Sequence, residues 1–260
     1  MVKDSERYAV FIDIDGTLIS KGFTVPERNI KAIDEARKRG HKVFINTGRS
    51  YGNIPDKLFA QLDVDGYIAG SGANISIEGK QIFTDRISTQ TLCDVSEYFL
   101  THTDYWCIFE GREKIYYIDN DVDTHDHADQ QLITSADDFR LRHSDEPIEV
   151  IAAGKIVPQD FIDRFSHELT VIQFPTYADC IINTCSKAGG MKSVLDYYSI
   201  PVERSIAIGD SANDESMFKA AGISVAVANA HSSILAIADY VTLSNHEGGV
   251  GAAIEHFLLK

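Results

Sequence analysis

Apolar and polar positions follow two rhythms along this chain, and the switch between them marks its organisation. Tyr8 to Ile12 (YAVFI) is an unbroken apolar, β-rich run, the pattern of a strand buried on both faces. In TVPE, Thr24 with Glu27 three residues on is an N-terminal helix signature, and Ile30, Ile33 and Ala36 recur at helical spacing until Gly40. KVFIN (Lys42 to Asn46) predicts the next strand, YGNIPDKLFAQL a weaker helix, and GYIAGSGA a further strand with a Gly-rich turn. Strand, helix and strand in alternation predict a parallel sheet.

The same rhythm returns near the end. SIAIG (Ser205 to Gly209) reads as a strand, Ser211 as the cap of a helix carrying Met217, Phe218 and Ala221, and Gly222 as its stop before the strand ISVAVA. SILAIADYVT and GGVGAAIEHFLL predict a short helix, a short strand and a last helix. Between the two regions the texture changes. YWCIFEGREKIYYID gives two aromatic, β-branched runs around Gly111, a hairpin; IEVIAAG, QDFIDRFSHEL, VIQFP and DCIINT predict strands flanking a helix. The pattern implies an α/β fold: a Rossmann-like parallel-sheet core from residues 1–82 and 186–260, interrupted by an α+β domain at 83–185.

Composition narrows the function. A chain of 260 residues that is 44% hydrophobic can bury a sizeable core. Its net charge of −15 repels nucleic acid and anionic membranes at long range, so neither is expected as a partner, and an anionic substrate needs a local positive cluster. No run approaches the roughly 20 apolar residues of a membrane span, and MVKDSERYAV lacks the apolar core of a signal peptide, so a cytoplasmic protein is expected. Cys93, Cys107, Cys180 and Cys185 are scattered without metal-site spacing and read as reduced thiols.

In a parallel α/β sheet, ligands bind beyond the carboxyl ends of the strands, and DIDGT, NTGRS and GDSANDES all lie at such ends. They bring Asp13, Asp15, Asp210 and Asp214, too many carboxylates for one crevice without a hard cation; Mg²⁺ suits carboxylate, water and phosphate oxygens. The hydroxyls of Thr17, Thr47 and Ser211, with Gly16 and Gly48 permitting close backbone approach, suit a phosphoryl group, and Arg49 and Lys187 supply candidate countercharge. Arg49 reads equally well as a structural ion pair. Metal, phosphate and a carboxylate nucleophile suggest phosphoryl transfer through an aspartyl phosphate.

The order D-x-D-G-T-L, then T-G-R after a strand, then SKAGG before a helix, then GDSANDESMF resembles the haloacid dehalogenase-like (HAD) phosphatases, and most closely the Cof-type branch with an inserted α/β cap of the C2 type. The resemblance spans nearly the whole chain, including the ending ADYVTLSNHEGGVGAAIEHF. It implies that Asp13 is the nucleophile and that Asp15 protonates the leaving oxygen and then activates water, its backbone carbonyl also on the metal. It further implies that Thr47 and Lys187 hold phosphoryl oxygens, that Asp210 binds Mg²⁺, and that Asn213 and Asp214 complete the surroundings of metal, lysine and phosphate. The implied activity is Mg²⁺-dependent hydrolysis of a small phosphorylated metabolite, a sugar phosphate or a phosphorylated cofactor. A phosphomutase and a non-catalytic phosphometabolite sensor are the alternatives. Where the branch often has Asn-Gly-Ala, this chain has Ser71-Gly72-Ala73.

Two further patterns are weaker. Asp119, Asp121 and Asp123 in DNDVDTHDHAD mimic the start of an EF-hand, but Thr124 replaces the required Gly and Gln130 the bidentate Glu, while His125 and His127 lack a third ligand; a solvated loop is expected. Trp106 and the pair Tyr116–Tyr117 read as hairpin packing.

Overall fold

The structure, a computed structural model, describes residues 6–118 and 130–260; the acidic and histidine positions 119–129 lie outside the described residues. The first stretch carries β1 (Ala9–Ile12), α1 (Glu27–Arg39), β2 (Lys42–Asn46), α2 (Asp56–Phe59), β3 (Gly66–Ala69), β4 (Asn74–Ile77) and β5 (Lys80–Thr84). There follow α3 (Thr89–Thr101), β6 (Cys107–Gly111), β7 (Ile115–Ile118), β8 (Gln130–Leu132), α4 (Asp138–Leu141), β9 (Ile148–Gly154), α5 (Gln159–Phe165), β10 (Leu169–Gln173) and β11 (Tyr177–Ile182). The chain ends with α6 (Lys187–Tyr198), β12 (Ser205–Gly209), α7 (Glu215–Ala220), β13 (Ile223–Ala226), α8 (Ser232–Leu235), β14 (Tyr240–Val241) and α9 (Gly249–Leu258). Two compact units result: one takes the chain up to Thr47, Pro55–Phe83 and Ser186–Lys260, the other Gly48–Ile54 and Thr84–Cys185.

The first unit is built on a sheet ordered β14-β13-β12-β1-β2-β3-β4-β5. β1 lies between β12 and β2 and is parallel to both, and its four residues AVFI are fully buried, as the unbroken apolar run predicts. β4 runs antiparallel to β3 and ends the parallel set. α1 buries Asn29, Ala32, Ile33 and Ala36 and stops at Gly40 in the left-handed conformation, φ 100°. Its start differs from the expectation. Pro26, not Thr24, precedes the first helical residue, because its ring sets φ at −54°, while the Thr24 carbonyl accepts the Ser20 N–H at 2.9 Å. Parallel pairing puts the ends of β1, β2 and β12 at one edge, and the next residues are Asp13, Thr47 and Asp210.

The second unit has its own sheet, β10-β11-β9-β6-β7-β8, antiparallel except for the pairing of β7 with β8. Its core is aromatic: Phe109 packs against Phe139 with ring centres 4.8 Å apart and planes tilted by 59°, and Tyr98, Phe99, Phe161 and Phe165 form a second cluster. Tyr116 is buried against Phe139 and His143, and Trp106 lies over Gly154, where a Cβ would come within 2.2 Å of its Nε1. Cys93, Cys107 and Cys180 are free and buried, and burial pushes the Cys107 and Cys180 thiols well up, so they stay neutral. The β6–β9 register shifts after Glu110: Glu110 pairs with Val150 but Gly111 with Ile148, leaving Glu149 as the extra residue of a bulge. Among the described residues no helix is long and apolar enough to cross a membrane.

Candidate active site

Lys187 is the centre of the first unit's polar cluster. It opens α6, where Ser186 caps the helix by accepting the Gly189 N–H at 3.0 Å, and its carbonyl accepts the Asn46 Nδ2 at 3.0 Å. The Ser71–Gly72 turn lies against this start: a Cβ on Gly72, at φ 102°, would stand 2.5 Å from the Ser186 carbonyl. Ser71 itself has φ 52°, a left-handed position that an asparagine tolerates better, which gives a backbone meaning to the substitution at this place.

The Lys187 side chain is fully buried and its Nζ donates to Asp13 Oδ1 and to Asp214 Oδ1, both at 2.6 Å. Asp214, also fully buried, accepts the Asp210 N–H at 2.8 Å and the Ser211 N–H at 3.1 Å on its other oxygen. Both its oxygens are therefore engaged by N–H donors. Thr17 Oγ1 donates to Asp210 Oδ1 at 2.9 Å, and Ser211 Oγ donates to Asn213 Oδ1 at 2.9 Å. Thr47 is fixed through its backbone, donating to the Ile68 carbonyl at 2.8 Å and accepting the Ser71 N–H at 3.0 Å. Asp15 is exposed. Gly48 and Arg49 follow Thr47 in the chain but group with the second unit, where the Arg49 guanidinium donates to the Asn53 carbonyl at 3.1 Å.

One charge does not balance. Burial lifts the Asp13 carboxyl well above its ordinary range; Lys187 opposes the lift, and Asp214, Asp210 and Asp15 add to it. Burial works against the Lys187 ammonium, but Asp13 and Asp214 outweigh it and hold the lysine charged. Asp210 is pushed up to about 6 by burial and by Asp214. One lysine thus serves three neighbouring carboxylates, and single oxygens of Asp13, Asp210 and Asp214 lie within 4.8 Å of one another. Hard oxygen donors with surplus negative charge fit a small divalent cation. Asp13 and Asp210 have oxygen capacity for it; Asp214 is already committed to Lys187 and the Asp210–Ser211 backbone.

Residues beyond those the motifs mark also enter. Asn46, Asn229, Asn245 and Asn29 donate side-chain hydrogen bonds to the Lys187, Gly16, Ile19 and Leu18 carbonyls respectively. Asn46 ends the strand KVFIN and Asn245 lies in the tail SNHEGG, yet nothing in their local pattern shows which carbonyl they reach.

Residues 10–254 match the family model of the haloacid dehalogenase-like hydrolases. Among curated proteins, the chain is 28% identical to phosphatase YwpJ of Bacillus subtilis, over 96% of this chain and 99% of that one. It is also 28% identical to 5-amino-6-(5-phospho-D-ribitylamino)uracil phosphatase YcsE of the same organism, over 99% and 98%. Among solved structures, the HAD subclass IIB sugar phosphatase BT4131 superposes with a TM-score of 0.82 at 25% identity, covering 96% of this chain and 98% of that one.

Proposed function

The chain belongs to the haloacid dehalogenase-like hydrolases, a phosphatase acting on phosphorylated substrates, and we propose that it is Mg²⁺-dependent and hydrolyses a small phosphorylated metabolite through an aspartyl phosphate. The observation that carries this reading is the buried Lys187 bridging Asp13 and Asp214 at 2.6 Å each. A buried lysine shared this way opposes the lift that burial and the other carboxylates give Asp13, and leaves an ammonium next to the reacting oxygen.

In the proposed reaction an Asp13 oxygen attacks phosphorus and the bond to the leaving oxygen breaks, that oxygen taking a proton from Asp15. Asp15 then removes a proton from water, which cleaves the acyl phosphate and restores Asp13. Thr47, Thr17, Ser211 and Asn213, with Lys187, are assigned to the phosphoryl oxygens, and Asp214 to orienting Lys187. Gly48 and Arg49 keep their assignment to phosphate on the motif alone. Asp13 and Asp210 side chains and the Asp15 carbonyl would hold Mg²⁺, which when bound neutralises charge on the transferring group. Choice of the non-phosphate part of the substrate is assigned to the second unit, as the cap.

Phosphate release over a panel of phosphorylated metabolites, with Mg²⁺ and after chelation, tests this. The panel starts with sugar phosphates and 5-amino-6-(5-phospho-D-ribitylamino)uracil, because relatives carry those names. The expected result is Mg²⁺-dependent release that Asp13→Asn lowers by roughly 10⁴-fold or more. Residual metal-dependent turnover in that variant would remove Asp13 as nucleophile. Isomerised product without free phosphate would establish the mutase instead, and no turnover of any ester would favour the sensor.

A further inference from the structure

The loop that bears Asp15 turns sharply after β1, with the Ile19 N–H donating to the Ile14 carbonyl at 3.2 Å across it. Asp15 has φ −79° and ψ 121° and Gly16 φ 78° and ψ −10°, the dihedrals of a type II turn, whose third residue takes positive φ. Glycine is doubly required there, since a Cβ would stand 2.4 Å from Asp210 Oδ2. Asp15 projects from this backbone, so a shift of the turn carries its carboxyl with it.

Three asparagine carboxamides hold carbonyls of this loop from outside it. Asn229 Nδ2 donates to the Gly16 carbonyl at 2.8 Å, Asn29 Nδ2 to the Leu18 carbonyl at 3.2 Å and Asn245 Nδ2 to the Ile19 carbonyl at 2.9 Å. Each is anchored on its other side by a backbone N–H. Asn229 Oδ1 accepts from Asn245 at 2.8 Å, Asn245 Oδ1 from His246 at 2.9 Å, and Asn29 Oδ1 from Gly251 at 2.7 Å. Asn229 and Asn245 therefore form a chain from the segment after β14 to the Gly16 carbonyl within the turn and the Ile19 carbonyl beyond it. Asn229 is the link that matters for chemistry, because the carbonyl it grips belongs to the residue directly after Asp15.

We propose that Asn229, backed by Asn245, is a positioning residue for Asp15: by fixing the Gly16 carbonyl it aims the Asp15 carboxyl at the leaving oxygen. This rests on the acid–base reading of Asp15 given above. A donated proton matters little to an ester whose leaving group departs readily as an anion and much to one whose leaving group does not. Misaiming Asp15 should therefore penalise phenyl phosphate more than p-nitrophenyl phosphate, whereas simple loss of folded protein lowers both equally.

The test is kcat/KM for those two esters in wild type, Asn229→Ala, Asn229→Asp, Asn245→Ala and Asp15→Asn. Asn229→Ala is expected to lose about five- to tenfold more on phenyl phosphate than on p-nitrophenyl phosphate, the size of one hydrogen bond. Asn229→Asp keeps the acceptor for the Asn245 N–H but turns an oxygen toward the Gly16 carbonyl, so its bias should be at least as large; Asn245→Ala should be biased the same way and less. Equal losses on both esters, or none, overturn the proposal. If Asn229→Ala fails to fold by circular dichroism, the same comparison in Asn245→Ala decides. Asp15→Asn separates the two levels of failure. Should it show no bias, the acid–base reading falls; should it show bias while the asparagine variants do not, only the positioning role falls.

Discussion

Both units bury carboxylates, and the cluster around Lys187 in the first treats them differently from the second unit. In the second unit Glu110 accepts the Ser50 N–H at 3.2 Å, Glu149 accepts the Tyr51 N–H at 3.0 Å, and Asp138 accepts Thr134 and Ser135 N–H groups at 2.8 and 3.0 Å and the Arg142 Nε at 3.0 Å. Backbone donors serve each acid there, which is how a buried acid is made structural. In the first unit Asp13, Asp210 and Asp214 crowd one lysine. The pKa directions follow: burial pushes Asp138 up, but Arg142 and the two N–H groups outweigh it and hold it low, whereas Asp13 and Asp210 are pushed up. An acid whose neighbours do not satisfy it marks a place where a ligand can, and that criterion supports the proposed site at the Lys187 cluster.

The largest expected effect that tests this contrast is at Lys187. Lys187→Met fills similar space but leaves Asp13 and Asp214 buried without their cation, a loss of about 3–5 kcal/mol in unfolding free energy. Denaturant titration should show it, and activity should fall with it. Adding Asp13→Asn should recover part of the stability while activity stays lost. If Lys187→Met unfolds no more easily than wild type, the crowding inferred for this cluster is wrong.

Fold and site were legible to different depths. The strand YAVFI, the stop at Gly40 and the hairpin around Gly111 are local signals, and the chain folds as they indicate. That Asp13, Thr47 and Asp210 follow adjacent strands required only the parallel sheet that alternating elements imply. What stayed hidden depends on distant partners. Asn229 and Asn245 act on carbonyls 213 and 226 positions away, and Glu149 depends on a one-residue bulge that no alternation of side chains announces. At Thr24 a local rule was displaced by another, the fixed φ of Pro26.

A smaller effect comes from pH. Asp210 titrates near 6 in the folded protein against 3.8 ordinarily, so between those values the folded state holds a proton that the unfolded chain has released. Its contribution to stability is full below about pH 4, declines as pH rises to about 6, and is flat beyond. Mg²⁺ should compete with that proton. The thermal midpoint gained on adding Mg²⁺ should thus be a few degrees larger at pH 7 than at pH 5, with protons released on binding near pH 6. Asp138, held low, has the reverse sign: its contribution is present at neutral pH and lost as pH falls through the acid range. A gain from Mg²⁺ that is independent of pH would separate Asp210 from the metal.

The smallest expected effect sharpens the other side of the comparison. Glu149 is fully buried, the extra residue of the β6–β9 bulge, and one of its oxygens receives the Tyr51 N–H. If a carboxylate here serves as an acceptor for backbone, its charge is dispensable and its oxygen is not. Glu149→Gln keeps a carbonyl oxygen of the same shape, and should cost about 1 kcal/mol or less in denaturant titration; Glu149→Met takes that acceptor from the half-buried Tyr51 N–H and should cost about 2 kcal/mol. In the first unit the order inverts, because Asp13→Asn removes a charge that burial disfavours and should unfold no more easily than wild type while losing its activity. Equal losses for Glu149→Gln and Glu149→Met would show that the charge at Glu149 matters as well, and the contrast between the two units would then be one of degree.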